Sequence, residues 1–236
     1  KQIAVILGPT ATGKSHCGIA LAQALDGEII SGDSMLVYRG MDIGTAKPTA
    51  EELALVPHHM VDILPPEASF NVVDFKERAE RLIDEITARG KLPIIVGGTG
   101  LYIKALLEDY KFSSKGEDSA LRAELEALLD EQGKDALYAR LVKSAPAEAG
   151  KIDINNPRRV IRAIEAAESG DDLSHSKSEE LVYDAAVFGL RMERSVLYER
   201  INRRVDIMLE QGLIEETLRL LAEGVLETAQ SMQAIG

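Results

Sequence analysis

The chain has 236 residues, 45% of them hydrophobic and 28% charged, which is enough apolar material for a sizeable core and too much for a disordered chain. A single cysteine, Cys17, excludes an internal disulfide framework, the 4 histidines form no Cys/His zinc cluster, and no apolar run approaches the roughly 20 residues of a membrane span. With 27 basic against 39 acidic residues, the net charge of −12 argues at face value against a polyanionic partner, since phosphate binding needs clustered Lys and Arg.

These bounds predict a soluble, cytoplasmic protein of one domain or one domain with an insertion. Ile3 to Leu7 is an unbroken apolar run ended by Gly8, the pattern of a strand buried on both faces of a parallel sheet. A helix is predicted from Lys14 to about Leu25, with Cys17 on it as a small core residue. Glu28 to Ser31 reads as a second strand, ending at Gly32-Asp33-Ser34. From the N-cap Asn71, Val72, Phe75, Ala79, Leu82, Ile83 and Ile86 recur at helical spacing until Gly90. Leu92 to Val96 is a third buried strand, closed by Gly97-Gly98-Thr99-Gly100. His58 and His59 are read as structural.

Beyond Leu107 the signals turn helical: Ser119 to Leu129, Lys134 to Val142, Pro157 to Glu168, Ser195 to Leu209 and Leu213 to Ala222. Ala185 to Leu190 alone looks like a further strand, and Ser169 to Ser178 reads as a polar surface loop. Alternating strands and helices imply an α/β fold, a parallel P-loop-type sheet core flanked by helices, with a helical insertion domain. The expected domains are 1–112 for the first part of the core, 113–150 for the insertion, and 151–236 for the return to the core and the C-terminal helices.

The charge is unevenly spread. Residues 1–150 carry 16 basic and 23 acidic side chains, residues 151–204 carry 10 of each, and residues 205–236 carry 1 and 6. Within the neutral middle, Asn155 to Ile164 holds Arg158, Arg159 and Arg162 without an acid. Arg191 to Arg204 holds five arginines against Glu193 and Glu199. Three cations beside the positive end of a helix do not stabilise it; an anionic partner explains them, as does pairing with nearby acids on a solvated face.

Gly8-Pro9-Thr10-Ala11-Thr12-Gly13-Lys14-Ser15 matches G-x-x-x-x-G-K-[ST] between a predicted strand and a predicted helix. In such a loop the backbone N–H groups converge on phosphate oxygens. The helix N-terminus and Lys14 add positive charge, and the Ser15 hydroxyl can ligate Mg²⁺. Asp33, at the end of the second strand, shares that sheet edge; it is suited to proton transfer or to a helix cap. Thr99, in the turn after the third strand, is equally suited to donating to a leaving oxygen or to shaping a glycine turn. Pro157 opens a helix whose buried stripe is Val160, Ala163, Ile164 and Ala167.

Several segments together resemble the tRNA dimethylallyltransferases, or tRNA isopentenyltransferases. They are Gly8 to Ser15, Asp33-Ser34-Met35-Leu36 through Pro48, Gly97 to Tyr102, Asn156 to Glu165, and Ser231 to Gly236. The resemblance implies that the phosphate loop holds the diphosphate of dimethylallyl diphosphate, with Mg²⁺ at Ser15. It implies that Asp33 is the general base for the N6 amine of an adenine 3′-adjacent to the anticodon, with Thr99 and Lys14 at the leaving group. It also implies tRNA contacts at Asp33, Ser34, Met35, Leu36, Thr99, Arg122, Arg158, Arg159, Val160, Ile161 and Arg162, in a monomer that touches no membrane. Leu36 stands where family members often carry Gln. The family continues past Ile235-Gly236 into further helices with a basic tail, so the resemblance implies that this sequence stops short of the family's length.

Two other readings use the same motifs. A small-molecule or nucleotide kinase also combines an ATP-binding phosphate loop with a strand-end Asp and a helical insertion. A transferase acting on free AMP or ADP would not need Arg158 to Arg162. A GTP-regulated module lacks its N-K-x-D guanine motif here.

Overall fold

The computed structural model describes residues 1–110, 119–169 and 181–234. Contacts within the chain gather into two units, Lys1–Asp109 with Ser178–Gly236, and Tyr110–Lys177.

The first unit is built on a five-stranded parallel sheet of β1 (Gln2–Leu7), β2 (Gly27–Ser31), β3 (His58–His59), β4 (Leu92–Gly97) and β5 (Asp184–Gly189), in the order β3-β2-β4-β1-β5. Burial of β1 and β4 on both faces explains their apolar runs, and β2 is buried throughout although its only large apolar side chains are Ile29 and Ile30. Successive residues feed opposite clusters: Ile3, Val5, Ile30 and Ile95 face one side, and Ala4, Ile6, Ile29, Ile94 and Val96 face the other. β5 is an edge strand, with Phe188 51% exposed.

Helix α1 (Lys14–Ala24) buries Gly18, Ile19 and Ala22 against the sheet. That face leaves Cys17 exposed, which corrects its placement in the core. α2 (Ala50–Leu55) starts from a capping box between Thr49 and Glu52 and α3 (Val72–Ala88) from one between Asn71 and Asp74. α3 buries Phe75, Ala79, Ile83 and Ile86, and the Phe75 ring stacks at 4.8 Å on Tyr102 of α4 (Gly100–Leu107). Neither β3 nor α2 was expected, because two and six residues are too short to show a period. α4 begins inside a glycine cluster that reads as a turn.

The second unit is helical. α5 (Ser119–Ser144) is broken at Gly133, whose φ of 80° separates the two helices expected there. α6 (Pro146–Ala149) and α7 (Pro157–Ser169) follow. Leu125, Leu137 and Leu141 pack with Val160, Ile161 and Ile164 of α7. By this packing α7 belongs with α5, so the unit is wider than the expected 113–150. The buried stripe includes Ile161 and Ala166, while Ala167 is only half-buried. Within the expected surface loop from Ser169 to Ser178, residues 170–178 lie outside the described residues; Ser169 ends α7.

The chain returns to the first unit through β5 and then α8 (Arg194–Gln211) and α9 (Leu213–Ala222). The final segment is tied down by Gln230, which exchanges hydrogen bonds with the Phe70 backbone at 3.0 and 2.5 Å, and by the Ser231 hydroxyl donating to Pro66 O at 2.7 Å. Among the described residues no helix is long and apolar enough to cross a membrane.

Candidate active site

Because β2, β4 and β1 are neighbours, the loops leaving their carboxyl ends meet at one edge of the sheet. They line a cavity of about 420 Å³ whose wall includes Gly8, Pro9, Thr10, Lys14, Ser15, Asp33, Ser34, Met35, Leu36 and Thr99. The ends of β2 and β4 approach so closely that a β-carbon on Gly97 would stand 2.2 Å from Gly32 O. Only glycine permits that approach, which brings the Asp33 and Thr99 loops together. Ala11, Thr12 and Gly13 complete the phosphate loop without lining the cavity; the Thr12 hydroxyl donates to Pro9 O at 2.8 Å.

Lys14 Nζ donates to Pro9 O at 2.7 Å and is held below its ordinary pKa by burial, with Asp33 pulling it up and Arg204 pushing it down. Arg204, on α8, donates from Nη1 to Thr10 Oγ1 at 3.0 Å and is likewise lowered by burial against the pull of Asp33. Two part-desolvated cations thus face one carboxylate. Such an excess of positive charge is relieved by an anion entering the cavity.

Asp33 Oδ1 accepts the Met35 N–H at 2.8 Å, a local turn that sets the side chain and shows that it caps no helix. Thr99 precedes α4 without capping it through its side chain, and its Oγ1 accepts the Ser34 N–H at 3.2 Å instead. Since that contact uses a lone pair, the Thr99 hydroxyl hydrogen is available to donate.

A family model described as IPP transferase matches residues 36–236. The tRNA dimethylallyltransferase of Exiguobacterium sp. (strain ATCC BAA-1283 / AT1b) is 53% identical over 99% of this chain and 75% of its own length. The chain belongs to the IPP transferase family. It also resembles the solved full-length tRNA isopentenylpyrophosphate transferase from Bacillus halodurans, with a TM-score of 0.70 at 49% identity over 100% of this chain and 74% of that one. A eukaryotic dimethylallyltransferase solved acting on tRNA gives a TM-score of 0.73 at 28% identity, over 99% of this chain and 59% of that one.

For an IPP transferase, the cavity contains residues that sequence reasoning did not assign. Ile201, Arg204, Val205 and Met208 form one wall, Gly44, Thr45 and Ala46 another, and Gln233 and Ala234 also contribute to the lining. The α8 set falls at i, i+3, i+4 and i+7, so one helix face carries both the arginine and the apolar contacts. That spacing was legible, but not what the face would meet.

The other expected RNA-contacting residues of this IPP transferase lie in the second unit. Arg158, Arg159 and Arg162 are exposed at the start of α7. Val160 and Ile161 are 1% and 5% exposed, which corrects their assignment to an RNA-facing surface: their side chains are core. Arg122 grips Glu165, itself buried, through two hydrogen bonds of 2.8 Å, so its guanidinium joins α5 to α7. A second fork joins Arg140 to Glu168 at 3.0 and 2.9 Å.

Proposed function

We propose that the protein transfers a dimethylallyl group from dimethylallyl diphosphate to N6 of the adenine 3′-adjacent to the anticodon in tRNA, releasing diphosphate. What carries the reading is the convergence of a phosphate loop, a strand-end carboxylate and a hydroxyl free to donate on one cavity. The relatives' names favour tRNA over phosphoryl transfer or free AMP and ADP as acceptor. With an RNA substrate of this kind, the cytoplasm is the proposed site of action.

An adenine amine is a weak nucleophile because its lone pair is delocalised into the ring. As N6 forms its bond to the allyl carbon, the carbon–oxygen bond to diphosphate breaks and the N6 proton passes to the Asp33 carboxylate. Negative charge grows on the bridging oxygen, where the Thr99 hydroxyl donates. Lys14, Arg204 and the loop N–H groups hold the departing diphosphate, an electrostatic contribution of the oxyanion type. The base must leave its stack to reach the cavity, which an anticodon loop makes cheap.

Among the described residues no group of three His, Cys, Asp or Glu could cage a metal. Ser15 and Asp33 nevertheless offer oxygen donors on the same cavity wall, and Mg²⁺ is commonly held by one or two protein oxygens with substrate phosphates and water. The donor set therefore fits Mg²⁺ carried in with the diphosphate, where it would neutralise charge on the phosphates.

Incubation with radiolabelled dimethylallyl diphosphate and bulk tRNA tests the proposal. Label in tRNA is the expected result. Turnover of ATP with no label in tRNA would overturn it in favour of a kinase, and label only in added AMP would move the acceptor to free nucleotide.

A further inference from the structure

The wall formed by Gly44, Thr45 and Ala46 belongs to a loop that is braced twice. Its internal shape is closed by Lys47, whose side chain is 4% exposed and donates to Tyr38 O at 2.9 Å, Asp42 at 2.6 Å and Asp62 at 2.5 Å. The Thr45 hydroxyl adds a bond to Met41 O at 2.5 Å. A loop closed on itself has a shape but still needs a place, and α9 supplies it. Glu216 accepts three consecutive backbone N–H groups, Asp42 at 2.8 Å and Ile43 at 3.0 Å on Oε2 and Gly44 at 2.9 Å on Oε1. One turn later Arg219 Nη2 donates to Gly40 O at 2.6 Å. Leu213, one turn before Glu216, fills the remaining space, standing 3.3 Å from where a Gly44 β-carbon would lie.

We infer that Glu216 is a positioning residue that sets how far the Gly44–Ala46 wall stands from the phosphate loop, and so the fit of the substrate's allyl group. The inference rests on the diphosphate reading above. In that reading the cationic partners of the phosphates, Lys14 and Arg204, lie on the phosphate loop and α8. The five-carbon group has to lie against the apolar lining, to which Met35, Leu36, Ala46, Val205 and Met208 contribute. Diphosphate alone does not need the wall, whereas the tail does. Displacements of about 1 Å in such a wall are enough to cost roughly 100-fold in rate when they misplace a reacting group.

Calorimetric titration with two probes separates these contributions: inorganic diphosphate, and dimethylallyl thiodiphosphate, whose sulfur bridge prevents reaction. In Glu216→Ala, diphosphate binds as in wild type, while the tailed probe weakens by about tenfold through loss of the carboxylate hydrogen bonds. Glu216→Gln keeps the length and one acceptor oxygen and restores part of that loss. Glu227→Ala, at an exposed position beyond α9, changes neither. Equal weakening of both probes, or of neither, in a variant that melts like wild type overturns the inference. Should Glu216→Ala not fold, Glu216→Gln carries the same comparison, and an unchanged ratio of the two affinities is the contrary result. Wild-type protein that binds neither probe refutes the diphosphate reading itself, and with it the inference, before any variant is compared.

Discussion

The Arg204 guanidinium donates to the Thr10 hydroxyl at 3.0 Å, joining the middle of α8 to the phosphate loop across 194 residues. The loop motif supplies one cation, Lys14, and the tertiary fold supplies the second. Arg204→Ala should lower kcat/KM by about 100-fold, mostly through KM for dimethylallyl diphosphate. Arg204→Lys should recover only part, because an ammonium lacks the planar fork. Steady-state kinetics with varied donor measure this, and an unchanged KM would remove Arg204 from the diphosphate site.

Asp33→Asn preserves the size of the side chain and an acceptor for the Met35 N–H, but removes the base. The single-turnover rate should fall by about 100- to 10,000-fold with tRNA affinity retained. A variant with full single-turnover activity would sink the general-base role.

Arg158→Ala and Arg162→Ala should weaken tRNA binding across sequences, each lowering the slope of log affinity against log salt by roughly one. Inorganic diphosphate binding should be untouched. Filter binding across a salt series reports both quantities, and an unchanged slope would make these arginines structural.

Glu28 is 4% exposed beneath Arg89, which donates at 2.7 and 3.2 Å, and beside His59 Nε2 at 2.6 Å. Hydrogen bonding from Arg89, opposed by burial and helped by His59, holds its carboxyl below the usual range. A depressed folded-state pKa stabilises above the unfolded value of about 4.3 and is lost as pH falls through the folded one. Glu28→Gln should therefore cost roughly 1–3 kcal/mol at pH 7. The gap to wild type should narrow in denaturant titrations below about pH 4; a gap independent of pH would mean that packing, not charge, is lost.

The Tyr38 ring is fully buried, and its hydroxyl has no hydrogen-bond partner among the described residues. Burial pushes its pKa up, as expected of a phenol without a donor. Tyr38→Phe should be neutral or stabilising by up to about 1 kcal/mol in chemical denaturation. A clear loss of stability would reveal a bound water.

Patterns complete within a few residues were legible without the fold. The apolar run of β1 announced a strand buried on both faces, Glu28 to Ser31 and Leu92 to Val96 announced two more strands, the spacing from Val72 to Ile86 announced α3, and Gly8 to Ser15 between strand and helix announced the phosphate loop. Asp33 and Thr99 were legible as strand-end residues, but their roles stayed open. It took the Gly32–Gly97 approach, and the Ser34 N–H on Thr99 Oγ1, to show that neither side chain is spent as a helix cap.

The net charge of −12 illustrates the limit of composition. It is a sum over the chain, whereas binding responds to local potential, and Lys14 with Arg204 makes a cationic cavity inside an acidic protein. What the amino-acid sequence determined by itself was four of the sheet's five strands, the phosphate loop and the residues at the sheet's carboxyl edge, because those follow from short-range periodicity and backbone sterics. Only the tertiary structure decided that α7 packs on α5, that Ile161 is core, that Cys17 is exposed, that Arg204 lines the cavity, and that Glu216 holds the Asp42–Gly44 backbone. Each of those depends on which face of a helix meets which loop, a choice made by packing between segments far apart in the chain.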